Sequence, residues 1–424
     1  MEASQTCPQC GATLPVHHGF VTWCDKCNWN VTAPPSVREP RTRFERLYGV
    51  AGRRLGNRLA NELLAAEQLE PRLTPARFAA YAIAVLTHFT TLVLAVGGTL
   101  LVALTFPNPA AIVAGFVLVG LAYLMRPRLG KVPDEGILSR QDAPALYGLV
   151  DSAADVLGLR HVDVIVIDHR FNATWAVLGV RRRSVLTLGL PLLLMLQPQE
   201  RVALIGHELA HGRNGDSTRG LVVGSAVEAL TQFYWAIAPE HFGEAREWSE
   251  HAFYERIVNV LLWIGSRPVL GALLLELHLL LRDSQRAEYL ADALAARVAG
   301  TRAAVSLEER MLFESTFRST IQRAAQERAT AADLFEKLQD ALSRVPDREL
   351  ERRRRVARLE QTRLSDTHPP TAKRLELLEA RAPLEPSVVC GPEQGRAIDD
   401  ELASRHESVA AMLIDDYRAS LYAR

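Results

Sequence analysis

The segment Gly206-His207-Glu208-Leu209-Ala210-His211 carries the clearest chemistry in the sequence. Side chains four positions apart lie on one face of a helix, so His207 and His211 can present imidazole nitrogens to a single Zn²⁺ ion. Glu208 projects beside them and can take a proton from a water molecule on the metal. Because zinc lowers the pKa of such a water to about 7 and also polarises a carbonyl group, the motif predicts metal-assisted hydrolysis.

A second helical segment offers a third ligand for the same ion. A catalytic zinc site takes three protein ligands and keeps its fourth position for water. Glu288 and Asp292 stand four positions apart in the string EYLAD and therefore share a helix face. We expect Glu288 to bind the metal and Asp292 to orient a histidine by accepting its free ring N–H. Without the histidine motif, Glu288 would be an ordinary exposed carboxylate on a helix.

Four cysteines near the N-terminus predict a separate, structural zinc site. Cys7 and Cys10 form one CxxC pair, and Cys24 and Cys27 form another. Two such pairs at this distance are typical of one zinc ion held by four thiolates. Tight turns leave backbone N–H groups free to donate to the sulfurs, and a short hairpin over residues 14–23 is expected to bring the pairs together. Unconnected or disulfide-bonded cysteines are the alternative.

The elements that must position these groups are expected to be helices with a few strands. Residues 143–157 are predicted to be helical, Pro198 and Glu200 open the helix of the histidine motif, and the C-terminal part is helical and charged. Short strands are predicted over residues 162–167, 172–178 and 184–188. The last two are expected to pair across a basic turn. The fold class is therefore mainly α with a small β-sheet, an α+β arrangement.

Together the motifs resemble the HtpX/Ste24-type membrane metallopeptidases, the M48 family of gluzincins. The matching strings are GHELAHGRNGD (206–216), EYLAD (288–292) and THPPTAKRL (367–375), and the resemblance covers roughly residues 138–378. It implies a zincin-like domain and a zinc endopeptidase whose site faces the cytoplasm or lies at the membrane boundary. It also implies metal ligands at His207, His211 and Glu288, with Glu208 as general base and Asp292 behind the ligands.

The resemblance assigns further roles that the residues alone leave open. His368 and Arg374 are implied to stabilise the oxyanion, which needs donors aimed at the developing charge. Taken alone, His368 before two prolines could end a loop, and an arginine on a charged helix is usually solvated. Asn172 and Ala173 look like the family's asparagine–alanine motif on an edge strand, where an extended substrate could bind by β-augmentation.

A charge-free segment upstream predicts a membrane hairpin. Residues 79–106 contain no Asp, Glu, Lys or Arg, and a helix needs about 20 apolar residues to cross the hydrocarbon core. A turn at 106–109 separates this segment from a second apolar run at 110–125. Positive residues flank both outer ends, so the positive-inside rule places the N-terminus and the catalytic domain in the cytoplasm. Buried globular helices are the alternative, but they rarely run this long without charge.

Two later apolar stretches leave the membrane topology open. Residues 220–239 carry one carboxylate, and residues 257–281 carry Arg267, Glu276 and His278. Each central charge costs about 2.5–3.5 kcal/mol on insertion. The stretches could therefore form a second membrane hairpin, helices in the interface or core helices. Any crossing must occur as a pair, because the metal motifs on both sides belong to one site.

The composition excludes two classes of protein. Lys+Arg and Asp+Glu both number 49, and no nucleic-acid partner is expected because phosphate binding needs a basic surplus. Hydrophobic residues make up 48% of the chain, which excludes disorder throughout. Two charged stretches are interpreted as solvated: the run Arg352–Arg355, and an amphipathic helix over residues 43–70 that could instead lie on a membrane surface.

These patterns divide the chain into five segments, of which the first two depart from the common form of the family. The segments are a zinc ribbon (1–35), a linker with the charged amphipathic helix (36–77), a transmembrane hairpin (78–126), the metallopeptidase domain (138–382, with 220–281 as a possible second membrane or interfacial hairpin) and a C-terminal helical tail (383–424).

We expect a multi-pass cell-membrane endopeptidase that holds one catalytic and one structural Zn²⁺ and cleaves membrane or misfolded proteins. Its partners would be protein or peptide substrates, the lipid bilayer and a possible protein bound by the ribbon. One alternative is a non-proteolytic membrane scaffold with a relic peptidase fold, although a relic has no chemical need for Glu208. Prenyl-protein processing, as in the Ste24 branch, is another alternative, and nothing in the sequence indicates prenyl recognition.

Overall fold

The computed structural model is mainly helical with two small sheets, which confirms the predicted fold class. It describes residues 4–32, 54, 56–66, 69, 74–215, 219–238, 252–327, 330–359 and 368–422. The chain separates into two compact units. The first unit comprises residues 1–70, 132–214 and 286–424, and the second comprises residues 71–131 and 215–285.

The elements are labelled here in chain order. The strands are β1 (Ser4–Thr6), β2 (Thr13–Pro15), β3 (Ile137–Leu138), β4 (Val164–Asp168), β5 (Ala173–Leu178) and β6 (Arg183–Gly189). The labelled helices are α1 (Pro75–Thr105), α2 (Pro109–Leu124), α3 (Pro144–Leu157), α4 (Leu190–Met195), α5 (Pro198–Arg213), α6 (Ser225–Ile237), α7 (Ala252–Ala299), α8 (Thr301–Met311), α9 (Glu314–Glu327), α10 (Ala331–Ser343), α11 (Asp347–Leu359), α12 (Thr371–Glu379), α13 (Pro392–Leu402) and α14 (His406–Tyr422).

A four-stranded sheet in the first unit has the strand order β3-β4-β6-β5. Strands β4 and β6 run parallel, whereas β5 pairs antiparallel with β6 and forms one edge of the sheet. Ile165 and Leu186 are fully buried in the main core of this unit. The three strands predicted from the sequence therefore form, and the one that follows Asn172 has no strand on its outer edge among the described residues.

Helix α5 carries the histidine motif and contacts α3, α8 and β5. It begins with a capping box in which Gln197 and Glu200 exchange hydrogen bonds between side chain and backbone. Gly206 lies against α7, where an added Cβ would come within 3.1 Å of the Val298 Cβ and 3.4 Å of the Ala295 Cα. Glycine thus allows two helices that are far apart in the sequence to approach closely.

Helix α7 is one continuous helix, Ala252–Ala299, with Pro268 inside it. In the sequence, the apolar stretch at 257–281 and the Glu288–Asp292 segment are predicted as separate features. The structure instead places both on the same helix, with residues up to Gln285 in the second unit and those from Arg286 in the first.

The second unit contains a helical hairpin formed by α1 and α2. Asn108 caps α2 by accepting hydrogen bonds from the backbone N–H groups of Ala110 and Ala111. Where the two helices meet, a Cβ on Gly98 would lie 2.7 Å from the Gly115 carbonyl oxygen, and the converse distance is also 2.7 Å. Small residues that let backbones approach in this way are typical of helix pairs in membranes.

Much of the apolar surface of the hairpin is exposed. The exposed fraction is 75% for Phe78, 59% for Phe89 and 79% for Leu104. Two helices of the described residues are long and apolar enough to cross a bilayer, namely Pro75–Thr105 and the Ile257–Ala299 part of α7, while α2 is a shorter apolar helix. A helix of 31 residues is about 46 Å long, which exceeds the roughly 30 Å hydrocarbon core.

The described part of the charged segment 36–77 differs from the prediction of a solvated or membrane-surface helix. Residues 56–65 are helical. Leu63 is fully buried in a cluster with Tyr289 and Leu377. The interpretation is therefore wrong for these residues, because their apolar side packs within the first unit. Residues 36–53 lie outside the described residues.

The cysteine-rich segment also differs locally from the prediction. Strand β1 pairs antiparallel with β2, so the strands flank the first cysteine pair and no hairpin forms over residues 14–23. The ring of Trp23, 2% exposed, packs against the guanidinium groups of Arg348 and Arg355, which are 4.7 and 4.9 Å from its centroid. The segment thus docks on α11 of the same unit through cation–π contacts.

The arginine run on α11 is not solvated as predicted. Arg352 and Arg353 both pair with the buried Glu349, Arg354 pairs with Glu309, and Arg355 donates to the Asp25 carbonyl oxygen. All four arginines of the run are half-buried. Each arginine of the run has a carboxylate partner, which the run of four arginines does not reveal by itself.

Candidate active site

The structure brings together the three side chains that were predicted to bind the catalytic metal. His207 Nε2 lies 3.4 Å from Glu288 Oε2, and His211 Nε2 lies 3.6 Å from Glu288 Oε1. One ligand atom from each residue lies within 4.8 Å of the other two. With zinc–ligand distances of about 2.1 Å, tetrahedral ligands stand about 3.4 Å apart. The donor set and its spacing therefore fit a zinc ion.

The four N-terminal cysteines form the second group of potential ligands. Cys7 Sγ lies 3.7 Å from Cys27 Sγ, and Cys10 Sγ lies 3.5 Å from Cys24 Sγ. A tetrahedral zinc with Zn–S bonds of about 2.3 Å separates its sulfurs by about 3.8 Å. All five cysteines of the chain are free thiols, and this cluster is compatible with a zinc ribbon.

Asp292 and Arg374 lie at the Nδ1 edge of the His207 ring, and Arg374 Nη2 is also 3.9 Å from Glu288 Oε2. Asp292 Oδ1 is 3.1 Å from His207 Nδ1, so the carboxylate can accept the free ring N–H as predicted. Arg374 donates to Asp292 through Nε at 2.8 Å and Nη2 at 2.5 Å. The guanidinium is buried rather than solvated, and its role at the oxyanion stays a prediction.

His368 reaches the site from the segment before α12. Its Nδ1 lies 2.8 Å from Glu288 Oε2, while the side chain is 60% exposed. The hydrogen bond to Glu288 raises the pKa of His368, although partial burial opposes the shift. The ring therefore stands at the mouth of the site, within reach of a substrate, and its role at the oxyanion also stays a prediction.

Burial and charge act in opposite directions on the ionisable groups of the site. Burial disfavours the imidazolium form of His207, but hydrogen bonds to Asp292 and Glu288 outweigh it and raise the pKa to about 10. Burial also opposes ionisation of Glu288, yet bonds with His207 and His368 hold its pKa well below the ordinary range. Burial raises the pKa of Glu208, the predicted general base.

Buried carboxylates outnumber buried guanidinium groups at the site. When the histidines are neutral, the cluster has an excess of negative charge that a divalent cation would offset. Burying such charge without a partner is costly, so the arrangement favours a bound cation. The carboxylates, each 9% exposed or less, are Glu208, Glu288, Asp292 and Glu308, and the buried guanidinium is Arg374.

A cavity of about 220 Å³ adjoins these residues. His207, Glu208 and His368 contribute to its polar side. Asn172 and Ala173 line it from the start of β5, so the structure brings the predicted substrate-binding pair next to the predicted base. The apolar part of the lining consists of Leu192, Leu204, Leu307 and Met311.

Sequence reasoning missed Glu308 and the apolar wall of the cavity. Glu308 is 3% exposed, and its Oε1 lies 2.9 Å from Arg374 Nη2. Burial raises its pKa to about 7, although the charge of Arg374 opposes the shift. In the sequence it is one acid among several on a charged helix. The helical spacing of Leu307 and Met311 was a usable signal for a shared face.

The chain belongs to peptidase family M48, a family of metal-dependent peptidases. The family's model matches residues 141–382, which is more than half of the chain and includes both segments of the candidate metal site. This confirms the resemblance found in the sequence motifs.

A curated relative extends the comparison. The chain is 28% identical over 165 residues to the protease HtpX homolog of Thermococcus kodakarensis, a match that covers 39% of this chain and 54% of the relative. The chain therefore spans about half the length of that relative. No solved structure matches the chain significantly.

Proposed function

We propose that the protein is a membrane-bound zinc endopeptidase. The observation that carries the proposal is the meeting of His207, His211 and Glu288. His207 also lines one cavity together with Glu208. The spacing of the ligand atoms fits a tetrahedral ion, and the excess of buried carboxylates favours a divalent cation. Membership of family M48 supports peptide bonds as the target.

The chemistry follows from the positions of these side chains. His207, His211 and Glu288 would hold a zinc ion, which supplies a Lewis acid that lowers the pKa of a water molecule to about 7 and polarises the substrate carbonyl. Glu208 takes the proton of the attacking water and passes it to the leaving amine. Its raised pKa suits this work, because a general base and acid functions best when its pKa is near the working pH.

Two further groups complete the proposed site. His368 stands at the mouth of the cavity, where its ring N–H can donate to the oxygen that becomes negative in the transition state. Arg374 adds positive charge from behind His207. Asp292 accepts the Nδ1–H of His207, which keeps Nε2 free to face Glu288 and a bound ion.

We propose that substrates bind as extended segments along β5. This strand is an edge of its sheet, and an edge strand offers unpaired N–H and C=O groups to a peptide backbone. Its first residue, Ala173, lines the cavity together with Glu208, so a peptide on the strand passes the base. The apolar wall of the cavity accommodates a nonpolar side chain next to the scissile bond.

We propose that α1 and α2 cross the cell membrane as a hairpin and that substrates include membrane or misfolded proteins. The exposed apolar side chains of α1 and the close contact at Gly98 and Gly115 support insertion. Arg126, Arg128 and Lys131 follow α2, which supports a cytoplasmic N-terminus and catalytic domain. Carbonate-washed membranes should retain the full-length protein, and release into the supernatant would contradict insertion.

The scaffold alternative does not account for the buried base. Glu208 is 9% exposed, and burying a carboxylate costs free energy unless a partner or a function requires it. A non-proteolytic scaffold has no use for an acid at this position, whereas a hydrolase does. The geometry therefore supports the enzyme better than the relic.

The test is Glu208→Gln in the purified full-length protein. Glutamine keeps the size of the side chain but cannot accept the proton, so hydrolysis of casein should fall about 10²- to 10⁴-fold. Zinc content, measured by mass spectrometry, should stay at the wild-type value, because Glu208 is not a proposed ligand. Glu309→Gln is the control, because Glu309 pairs with Arg354 and does not line the cavity. Its casein hydrolysis should match the wild type. Unchanged cleavage by Glu208→Gln would rule out the mechanism.

A further inference from the structure

Glu308 is a buried carboxylate that belongs to no sequence motif and to none of the proposed catalytic steps. It lies on α8, which contacts α12, the helix that carries Arg374. Its Oε1 lies 2.9 Å from Arg374 Nη2. Among the described residues, its Oε2 is buried and has no hydrogen-bond partner. A carboxylate in such surroundings is costly unless its contact with the guanidinium serves a purpose.

A chain of short polar contacts joins Glu308 to a proposed metal ligand. Arg374 Nη2 lies 2.9 Å from Glu308 Oε1 and 2.5 Å from Asp292 Oδ1, and Arg374 Nε donates to Asp292 Oδ2 at 2.8 Å. Asp292 Oδ1 in turn lies 3.1 Å from His207 Nδ1. All four residues are 8% exposed or less. Contacts of this kind are stronger in the interior than in water because solvent screening is weak.

The position of Arg374 Nη2 shows why a second carboxylate matters. This nitrogen lies 3.4 Å from His207 Nδ1, and both atoms are donors when the ring carries its proton on Nδ1. Both also compete for Asp292 Oδ1. Glu308 Oε1 gives Nη2 a second acceptor at 2.9 Å beside Asp292 Oδ1 at 2.5 Å, so one of the two N–H bonds of Nη2 can point away from the oxygen that the imidazole also needs. Without Glu308, Nη2 would keep Asp292 as its near partner and Glu288 Oε2 at 3.9 Å, both of which also contact His207.

We propose that Glu308 is a positioning residue that acts through Arg374 and Asp292 on the ring of His207. By giving Arg374 Nη2 a second carboxylate partner, it holds the guanidinium against Asp292 and so fixes the ring orientation in which Nε2 faces Glu288. The proposal rests on the proposed function, since it concerns the metal site described there. It adds a residue from a fourth helix, α8, to a site whose sequence motifs lie on α5, α7 and α12.

The test compares Glu308→Gln with the matched control Glu309→Gln on the next residue of the same helix. The probe is Co²⁺, added to full-length protein whose cysteine site keeps zinc and whose other site has been emptied by dialysis against a chelator. We expect the Co²⁺ dissociation constant of Glu308→Gln to rise about 10- to 100-fold, the usual effect of losing a group behind a metal ligand. Its visible Co²⁺ absorption bands should also shift, because they report ligand geometry. Glu309→Gln should match the wild type in both measurements.

Several outcomes would overturn the proposal. If Glu308→Gln has the same Co²⁺ dissociation constant and the same visible absorption bands as Glu309→Gln, Glu308 does not position His207. Glu308→Asp keeps the negative charge but moves the carboxylate away from Arg374, because the side chain is one methylene shorter. It serves as a second variant in case Glu308→Gln does not fold. If both variants lose cooperative unfolding, Glu308 stabilises the fold only and the proposal is wrong. A wild type that takes up no Co²⁺ outside the cysteine cluster would instead refute the proposed function, before any variant is compared.

Discussion

The two candidate metal sites of this chain are assembled in different ways. The four cysteines lie between positions 7 and 27, and two tight turns bring their sulfurs together. The other site takes His207 and His211 from α5 and Glu288 from α7, so it exists only where the two helices pack against each other. The cysteine site depends on the geometry of two local turns. The helical site depends on every contact that holds α5 against α7.

The two sites also stabilise their ligands by different means. Backbone N–H groups of Cys27 and Lys26 donate to the Cys24 sulfur and lower its pKa to about 7, although burial opposes this. At the helical site, carboxylates surround the imidazoles and supply the negative charge. The first arrangement needs the main chain of one segment, and the second needs charged side chains from several helices.

Removing a ligand from the helical site should have the largest effect on hydrolysis. Glu288→Ala leaves two histidines, which cannot hold zinc tightly, so casein cleavage should fall below detection. Zinc content should drop from about two ions per chain to about one, as measured by mass spectrometry of the purified protein. The control is Glu376→Ala on the exposed face of α12, where Glu376 pairs with Lys373. Two ions in Glu288→Ala would remove Glu288 from the ligand set.

Disturbing the contact between α5 and α7 should have an intermediate effect on hydrolysis. It should affect the helical metal site and leave the cysteine site intact. Gly206→Val places a branched side chain against Val298 and Ala295, and overpacking of this kind costs about 1–3 kcal/mol of unfolding free energy. Hydrolysis and zinc at the helical site should weaken together, while the cysteine site keeps its ion.

The matched control is Gly148→Val on α3. Gly148 is an exposed helical glycine with no heavy atom near the position of an added Cβ. Denaturant unfolding and zinc content of this variant should stay close to the wild type. If Gly206→Val were equally mild, the close approach of α5 and α7 would not be what assembles the site.

Removing ligands from the cysteine site should have the smallest effect on hydrolysis. In a Cys24→Ser/Cys27→Ser variant, zinc content should fall to about one ion per chain, while casein cleavage continues. Cys390→Ser, which changes the one cysteine outside the cluster, should keep both ions. Complete loss of cleavage in the double variant would mean that the ribbon, docked on α11 through Trp23, supports the catalytic site and not merely its own fold.

Much of the fold could be predicted because its signals are local. The helix that begins near Pro198, the paired strands on both sides of a basic turn and the apolar helices α1 and α2 follow from residue patterns over short windows. The charged segments were harder. Residues 56–65 and Arg352–Arg355 resemble solvated helices in the sequence, but they find buried partners in Tyr289, Leu377 and Glu349.

The sequence by itself determined which side chains can bind metal, because the spacing of two histidines on a helix and of four cysteines in turns fixes their local geometry. It also determined the apolar lengths of the hairpin helices. The tertiary structure alone decided that Glu308 meets Arg374, that Trp23 docks against two arginines, and that α5 and α7 approach at Gly206. These contacts join positions far apart in the chain, and no short-range pattern specifies which distant partner will cover a buried charge or an aromatic ring.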